Sequence, residues 1–295
     1  MKLYAPTYYK KFKCIADACE HSCCIGWEID IDKTTLEKYK QLKNGYGATI
    51  CGSIDWEETP HFRLCEGDRC PHLDERGLCK IILGVGEEYL SDICREHPRF
   101  YNFTSVAEVG LGMSCPEAAR LILSSPDFAS MEEVGDVSTE PDGILFDGRA
   151  ERAKLYAILQ EGKDYADALK EIYDAYSIDV GEDSHWLQIL DSLEYLNVEH
   201  KELFLRYSSA LRPTGADQEE YLKRSLAYLI YRHATEAVDE EDFATRLSFC
   251  LFCERLFAAL LCTENAQTLQ DAATLASILS EEIEYSDDNT WALME

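Results

Sequence analysis

The sequence predicts a mainly α protein, with an irregular, cysteine-rich metal-binding N-terminal domain followed by a helical C-terminal domain. Three observations carry that prediction. Ten of the 13 cysteines lie from Cys14 to Cys115, and none falls between residues 116 and 249. Glycine and proline punctuate the first part of the chain, whereas residues 149–295 hold only Gly162, Gly181 and Gly215. Apolar residues then recur with helical spacing through most of the second half. The 295 residues suffice for two domains, and a 46% hydrophobic content is enough for a packed core rather than a disordered chain. The expected division is a cysteine-rich domain over 1–123, a linker over 124–148 and a helical domain over 149–295.

In chain order, WEIDID (Trp27 to Asp32) alternates apolar and acidic residues and reads as a short strand. DKTTLEKYKQLKN reads as a helix with Asp32 as its cap. GEEYLSDICREHP reads as a second helix stopped before Pro98. SCPEAARLILSS reads as a third, with Pro116 in the first turn and Ser114 ahead as the cap. Residues 124–148 are rich in Ser, Pro, Asp, Glu and Gly, without sustained periodicity. Seven helical patterns follow: AERAKLYAILQ, DYADALKEIYDAY, HWLQILDSLEYL, HKELFLRYSSAL, EEYLKRSLAYLIYRHA, EDFATRLSFCLFCERLFAALL and TLQDAATLASILSEEI.

The net charge is -28 and unevenly spread: residues 1–123 carry 15 Lys and Arg against 19 Asp and Glu, residues 124–295 carry 13 against 37. Such a field repels phosphate backbones, so nucleic acid is not an expected partner, while a basic substrate is tolerated. The opening MKLYAPTYYKKFK lacks the apolar run of a secretory signal. The longest apolar stretch, LSFCLFCERLFAALLC, is broken by Glu254 and Arg255 and is too short for a membrane span. A cytoplasmic protein is expected, with no membrane partner.

In a reducing compartment, dense cysteine points to metal or iron–sulfur ligation rather than to disulfides. The second cluster places Cys65, Cys70 and Cys79 ahead of Cys94 and Cys115, and Cys70 and Cys115 each precede a proline. Proline fixes the local backbone and removes a competing N–H, which suits a thiolate held in one orientation. No Cys-x2-Cys pair occurs in the first half, and His21, His61, His72 and His97 could complete a zinc site. The spacing therefore fits either zinc or an iron–sulfur cluster. Neighbours in an extended chain point opposite ways, so one of Cys23 and Cys24 is expected to ligate while the other packs or serves a second site. Cys51 and Cys65 are expected to be buried thiols, and Cys250, Cys253 and Cys262 to be helix core.

The run CIADACEHSCCIGWEID, followed by CPHLDERGLCKIILGVGEEYLSDICREHPRF and GMSCPEAARLIL, resembles the flagellin lysine-N-methylases. These belong to a wider cysteine-rich group named for a CxxCxxCC zinc- or iron-chelating segment. The resemblance covers about residues 6–123. It implies methyl transfer from S-adenosylmethionine to lysine ε-amines of flagellin, and a cysteine-bound metal centre of iron–sulfur type, with zinc as the alternative. It extends ligand candidacy to Cys14, Cys19, Cys23, Cys24, Cys70, Cys79, Cys94 and Cys115. The first spacing here, Cys-x4-Cys-x3-Cys-Cys, is looser than the group's name.

A dinucleotide-type fold would show a glycine-rich turn after a strand, and GVG at Gly84–Gly86 is too short to count. The Cys-x3-Cys-x2-Cys loop of common radical adenosylmethionine enzymes is absent as well. Adenosylmethionine is therefore expected in another architecture, with its carboxylate on Arg95 or Arg99. No residue is assigned as catalytic base. The competing expectation is a non-enzymatic zinc- or iron–sulfur-binding protein-interaction module.

Overall fold

The computed structural model describes residues 1–19, 21–43, 45–57, 59–138, 146–162, 164–179 and 181–294. It is mainly α. In chain order the elements are β1 (Lys2–Pro6), α1 (Lys33–Gln41), α2 (Gly45–Gly52), β2 (Ile54–Asp55), β3 (His61–Phe62), α3 (Lys80–Val85) and α4 (Asp92–Glu96). There follow β4 (Arg99–Phe103), β5 (Ala107–Leu111), α5 (Pro116–Ser124) and β6 (Met131–Asp136). The remainder is helical: α6 (Gly148–Gln160), α7 (Tyr165–Tyr176), α8 (Asp183–Ser192), α9 (Val198–Phe204), α10 (Ala216–Leu229), α11 (Glu240–Thr263), α12 (Leu269–Leu279) and α13 (Asp287–Ala292).

The chain forms two compact units, one of residues 13–97 and one of residues 1–12 with 98–295. This differs from a division at residue 123, and strand pairing is the reason. A four-stranded sheet of order β4-β5-β1-β6 joins the N-terminal strand to residues 99–136, so these belong with the helical half. β1 lies parallel to β5 and antiparallel to β6, and β4 and β5 form a hairpin. Residues 124–148, read from sequence as a linker, thus supply β6.

In the larger unit, β5 is buried along its whole length. Its one charged residue, Glu108, accepts from Arg152 Nη1 at 2.8 Å and Nη2 at 2.7 Å. A buried carboxylate requires such a bidentate partner. α11 is apolar on almost every face and forms the centre of the helical layer, contacting α9, α10 and α12. Cys250 and Cys253 lie on it fully buried, and burial pushes both thiols well above their ordinary pKa, so they are core side chains. α10 and α12 each run on into a π-helical turn, Ile230–Ala234 and Ser280–Glu284. No helix among the described residues is long and apolar enough to cross a membrane.

The smaller unit has its own core of Ile29, Ile31, Tyr39, Ile50, Ile54, Phe62 and Ile81. Among the described residues, the segment read as a strand over 27–32 forms a single bridge, Asp30 to His61. Its alternation is real, since Ile29 and Ile31 are buried, but no neighbouring strand pairs along it. The helix expected over residues 86–98 is divided at Ser91, whose hydroxyl caps α4 by accepting from Cys94 N at 3.4 Å. At the start of α5 the capping position is Cys115 rather than Ser114, because Pro116 enters at the first turn.

Candidate metal centre

The unit of residues 13–97 gathers four of the predicted ligands. Cys24, Cys70, Cys79 and Cys94 pack against one small core and lie near enough to perturb one another's ionisation. Local structure explains each placement. Cys70 N donates to Cys24 O at 2.8 Å, which ties the two arms together. Cys79 occupies the position just before α3, where the N–H groups of Ile81 and Ile82 face its sulfur. Cys94 lies in the single helical turn that Ser91 caps.

Their electrostatics differ. Burial raises the Cys70 thiol to about 12, against the hydrogen bond from His72 N–H. Burial likewise raises Cys94 to about 11 and lifts Cys79. Cys24 goes the other way, to about 7, because Cys23 donates to it and Ser22 and Arg69 add to the effect against burial. Cys24 is therefore the most acidic thiol of the four, and the adjacent Cys23 supports it from the exposed side.

Cys14, Cys19 and Cys23 lie earlier in the same unit. Cys14 and Cys23 are exposed, and Cys19 Sγ donates to His21 O at 2.9 Å. Cys115 belongs to the other unit. Two of the histidines offered for zinc are otherwise engaged. Buried His72 bonds Ser53 Oγ through Nε2 at 2.9 Å, and His61 Nδ1 lies 2.8 Å from Thr59 O. Cys51 is half-buried and Cys65 exposed, so the expectation that both are buried thiols does not hold. Among the described residues no three His, Cys, Asp or Glu side chains converge as a ready-made group for a single metal ion. The four thiols share one core and influence one another electrostatically.

The two arginines expected to hold a carboxylate lie in different units. Arg95, on α4, pairs with Asp92 and with Glu96 at 3.3 Å. Arg99, on β4, donates from Nε to Tyr9 Oη at 2.9 Å and lies over the rings of Tyr9 and Phe12. Sequence reading passed over Ser91 and the second role of Asp32, whose Oδ2 accepts from Asp92 N at 3.0 Å. The Ser-x-x-Cys spacing ahead of α4 is the capping signal that marks the first of these.

A mainly α chain with a separate thiol-rich unit defines the class of protein. It belongs to the flagellin lysine-N-methylase family. Over 139 residues it is 32% identical to the lysine-N-methylases of Salmonella typhimurium and Salmonella choleraesuis, and to the flagellar biosynthetic protein FliU of Salmonella muenchen. The match takes in 43% of this chain, 80% of FliU and 34% of each lysine-N-methylase. The chain thus spans about a third of the length of the two relatives named as methylases. No family model matches the sequence, and no solved structure matches it.

Proposed function

We propose that the protein is a cytoplasmic, S-adenosylmethionine-dependent lysine N-methyltransferase acting on flagellin, with an iron–sulfur centre held by Cys24, Cys70, Cys79 and Cys94. Family membership supports the reaction, and the packing of four mutually interacting thiols around one small core supports the centre. The donor set fits the group in kind: four sulfurs, all of them half-buried or deeper, with N–H groups of Ile81, Ile82 and His72 directed at two of them. Hydrogen bonds of that sort tune a cluster's potential. Ligands of one tetrahedral zinc would lie only about 3.8 Å apart, given zinc–sulfur bonds of about 2.3 Å.

When bound, adenosylmethionine supplies a sulfonium-activated methyl group. A lysine amine accepts it only as the free base, so the chain must bind the side chain neutral and in line with the methyl. Arg95 or Arg99 is assigned to the donor's carboxylate, each with its existing partners holding the guanidinium in place. The acidic surface of residues 124–295 draws a lysine-bearing segment toward the protein.

The test uses anaerobically purified protein. Iron and acid-labile sulfide in the sample, with transfer of labelled methyl to flagellin lysines, are the expected results. A colourless protein holding only stoichiometric zinc refutes the cluster, and flagellin without label refutes the reaction.

A further inference from the structure

Tyr46 stands on α2 in the unit of residues 13–97, and its ring packs against the small core that Cys24, Cys70, Cys79 and Cys94 share. The ring is fixed from two sides. On one, α3 approaches through Gly84, where a Cβ would lie 3.2 Å from Tyr46 Cε1 and 3.4 Å from Cζ. The missing side chain lets the ring lie against this helix, which begins directly after Cys79. On the other side the His72 ring stands edge-on, 6.4 Å away between centroids. His72 follows Cys70 by two residues, its own N–H faces the Cys70 sulfur, and Ser53 Oγ holds its ring at 2.9 Å. The phenol is thus wedged between the arm that carries Cys70 and the helix that Cys79 leads.

The hydroxyl at the end of that ring is buried and, among the described residues, has no hydrogen-bond partner. A buried phenol ordinarily finds one, and leaving it without is costly. The side chains near enough to act on it electrostatically are those of Cys79 and Cys70. Tyr39 supplies the contrast. It too feels Cys94, Cys79 and Cys70, but its hydroxyl donates to Tyr89 O at 2.8 Å and is spent there. Of these two phenols, Tyr46 is the one with an O–H to give.

The chemistry of the sulfurs supplies the acceptor. A thiol accepts weakly, whereas the thiolate that ligates a metal is an ionised and stronger acceptor. Cys79 already faces the N–H groups of Ile81 and Ile82, and Cys70 that of His72. An O–H from α2 adds a side-chain donor to this set of backbone donors.

We infer that Tyr46 is a positioning residue for the thiol-held centre, its hydroxyl donating toward the sulfurs of Cys79 and Cys70 when they ligate iron. The inference rests on the iron–sulfur reading proposed above. A donor to a ligand sulfur stabilises the extra negative charge of the reduced centre and so raises its reduction potential.

A dye-mediated redox titration of the anaerobically purified whole chain, wild type against Tyr46→Phe, tests this. The variant keeps the ring and should retain iron and acid-labile sulfide at the wild-type level. Its potential should fall by about 30 mV, about a threefold shift in a one-electron equilibrium. Tyrosine fluorinated beside the hydroxyl and placed at position 46 is a stronger donor of nearly the same shape, and it should move the potential upward. It also tests the site where Tyr46→Phe loads poorly. Tyr195→Phe, whose lost hydroxyl bonds Leu190 O in the other unit, should leave the potential unchanged. A wild-type protein without iron and sulfide refutes the centre, and this inference with it. A loaded centre whose potential stays at the wild-type value in Tyr46→Phe, or in the fluorotyrosine protein where Tyr46→Phe does not load, overturns the inference alone.

Discussion

His233 Nε2 donates to Glu284 Oε2 at 2.7 Å, and the two residues lie on the π-helical turns that extend α10 and α12. Tyr228 Oη donates to the same oxygen at 2.9 Å, and Arg232 Nε lies 3.3 Å from it. Arg232 and His233 are sequence neighbours, which on a regular α-helix do not share a face. The widened turn lets both reach one carboxylate. The buried network therefore depends on two local departures from helical geometry.

Acid lability is the first consequence. Burial alone would raise the Glu284 carboxyl, but Arg232 and the bonded His233 override it and hold it at about 2. Burial pushes the His233 imidazole below its ordinary value against the pull of Glu284. Both shifts are depressions, so both contributions are complete at neutral pH. The His233 contribution falls away as pH drops below about 6.5, and the Glu284 contribution below about 4.5. Urea denaturation at pH 7, 5.5 and 4 should show declining stability. Glu284→Gln should cost about 3–5 kcal/mol at pH 7, by leaving Arg232 buried without its counter-charge. With the urea series extended to pH 3, it should also lack the Glu284-linked loss below about pH 4.5, and an equal decline between pH 4.5 and 3 in both proteins would refute the assignment.

Gly148 opens α6, and a Cβ there would lie 2.3 Å from Thr235 O and 2.9 Å from Thr235 C. Backbone atoms give little. Alanine normally favours a helix over glycine, so an open site would be stabilised by this change. Here Gly148→Ala should destabilise by about 1–3 kcal/mol. One turn on, Arg152 donates to Thr235 Oγ1 at 3.1 Å as well as to Glu108, so the shift also loosens that ion pair. Thermal unfolding gives the sign, and a raised melting temperature would contradict the packing.

The cysteines should sort by position. Serine replacement of Cys24, Cys70, Cys79 or Cys94 should each abolish the metal content and colour of anaerobically purified protein. Cys51→Ser and Cys65→Ser should retain both, as should Cys250→Ala, whose cost is in core packing. Retention of metal in Cys70→Ser and Cys94→Ser together would exclude this set.

The longer helices of the second half were legible because each carries an extended apolar stripe, whereas six-residue α13 was not read at all and α9 stops at Phe204, short of the HKELFLRYSSAL pattern. The π turns left no trace: YLIYRHA and LSEEIEY have ordinary helical composition. The sheet was missed for another reason. KLYAP, RFYNF, AEVGL and MEEVGD are five or six residues long, and β1 finds its partners about a hundred residues away, so no local pattern announces the pairing. Cysteine density marked the thiol-rich unit, yet spacing alone did not choose between Cys23 and Cys24. The structure separates the two by position: Cys24 packs against the core and its carbonyl accepts from Cys70 N, while Cys23 is exposed.

Asp32 links that unit's first helix to its last. Oδ1 accepts from Thr35 N at 2.9 Å and caps α1, while Oδ2 accepts from Asp92 N at 3.0 Å at the start of α4. Burial works to raise its carboxyl, but the N–H groups of Thr35 and Asp92 outweigh that and bring it below the ordinary value. Asp32→Ala removes both acceptors at once and should cost about 1–2 kcal/mol, the upper part of the range for a lost cap. Asp32→Asn keeps one amide oxygen, which can serve α1 or α4 but not both, and should fall between. Because α4 carries Cys94, the alanine variant should also bind its metal less completely than wild type. Hydrogen exchange separates the two effects: faster exchange at both Thr35 and Asp92 amides is expected in Asp32→Ala, and at one of them in Asp32→Asn. Unchanged protection at Asp92 in Asp32→Ala would show that α4 is held by its Ser91 cap alone, with Asp32 serving only α1.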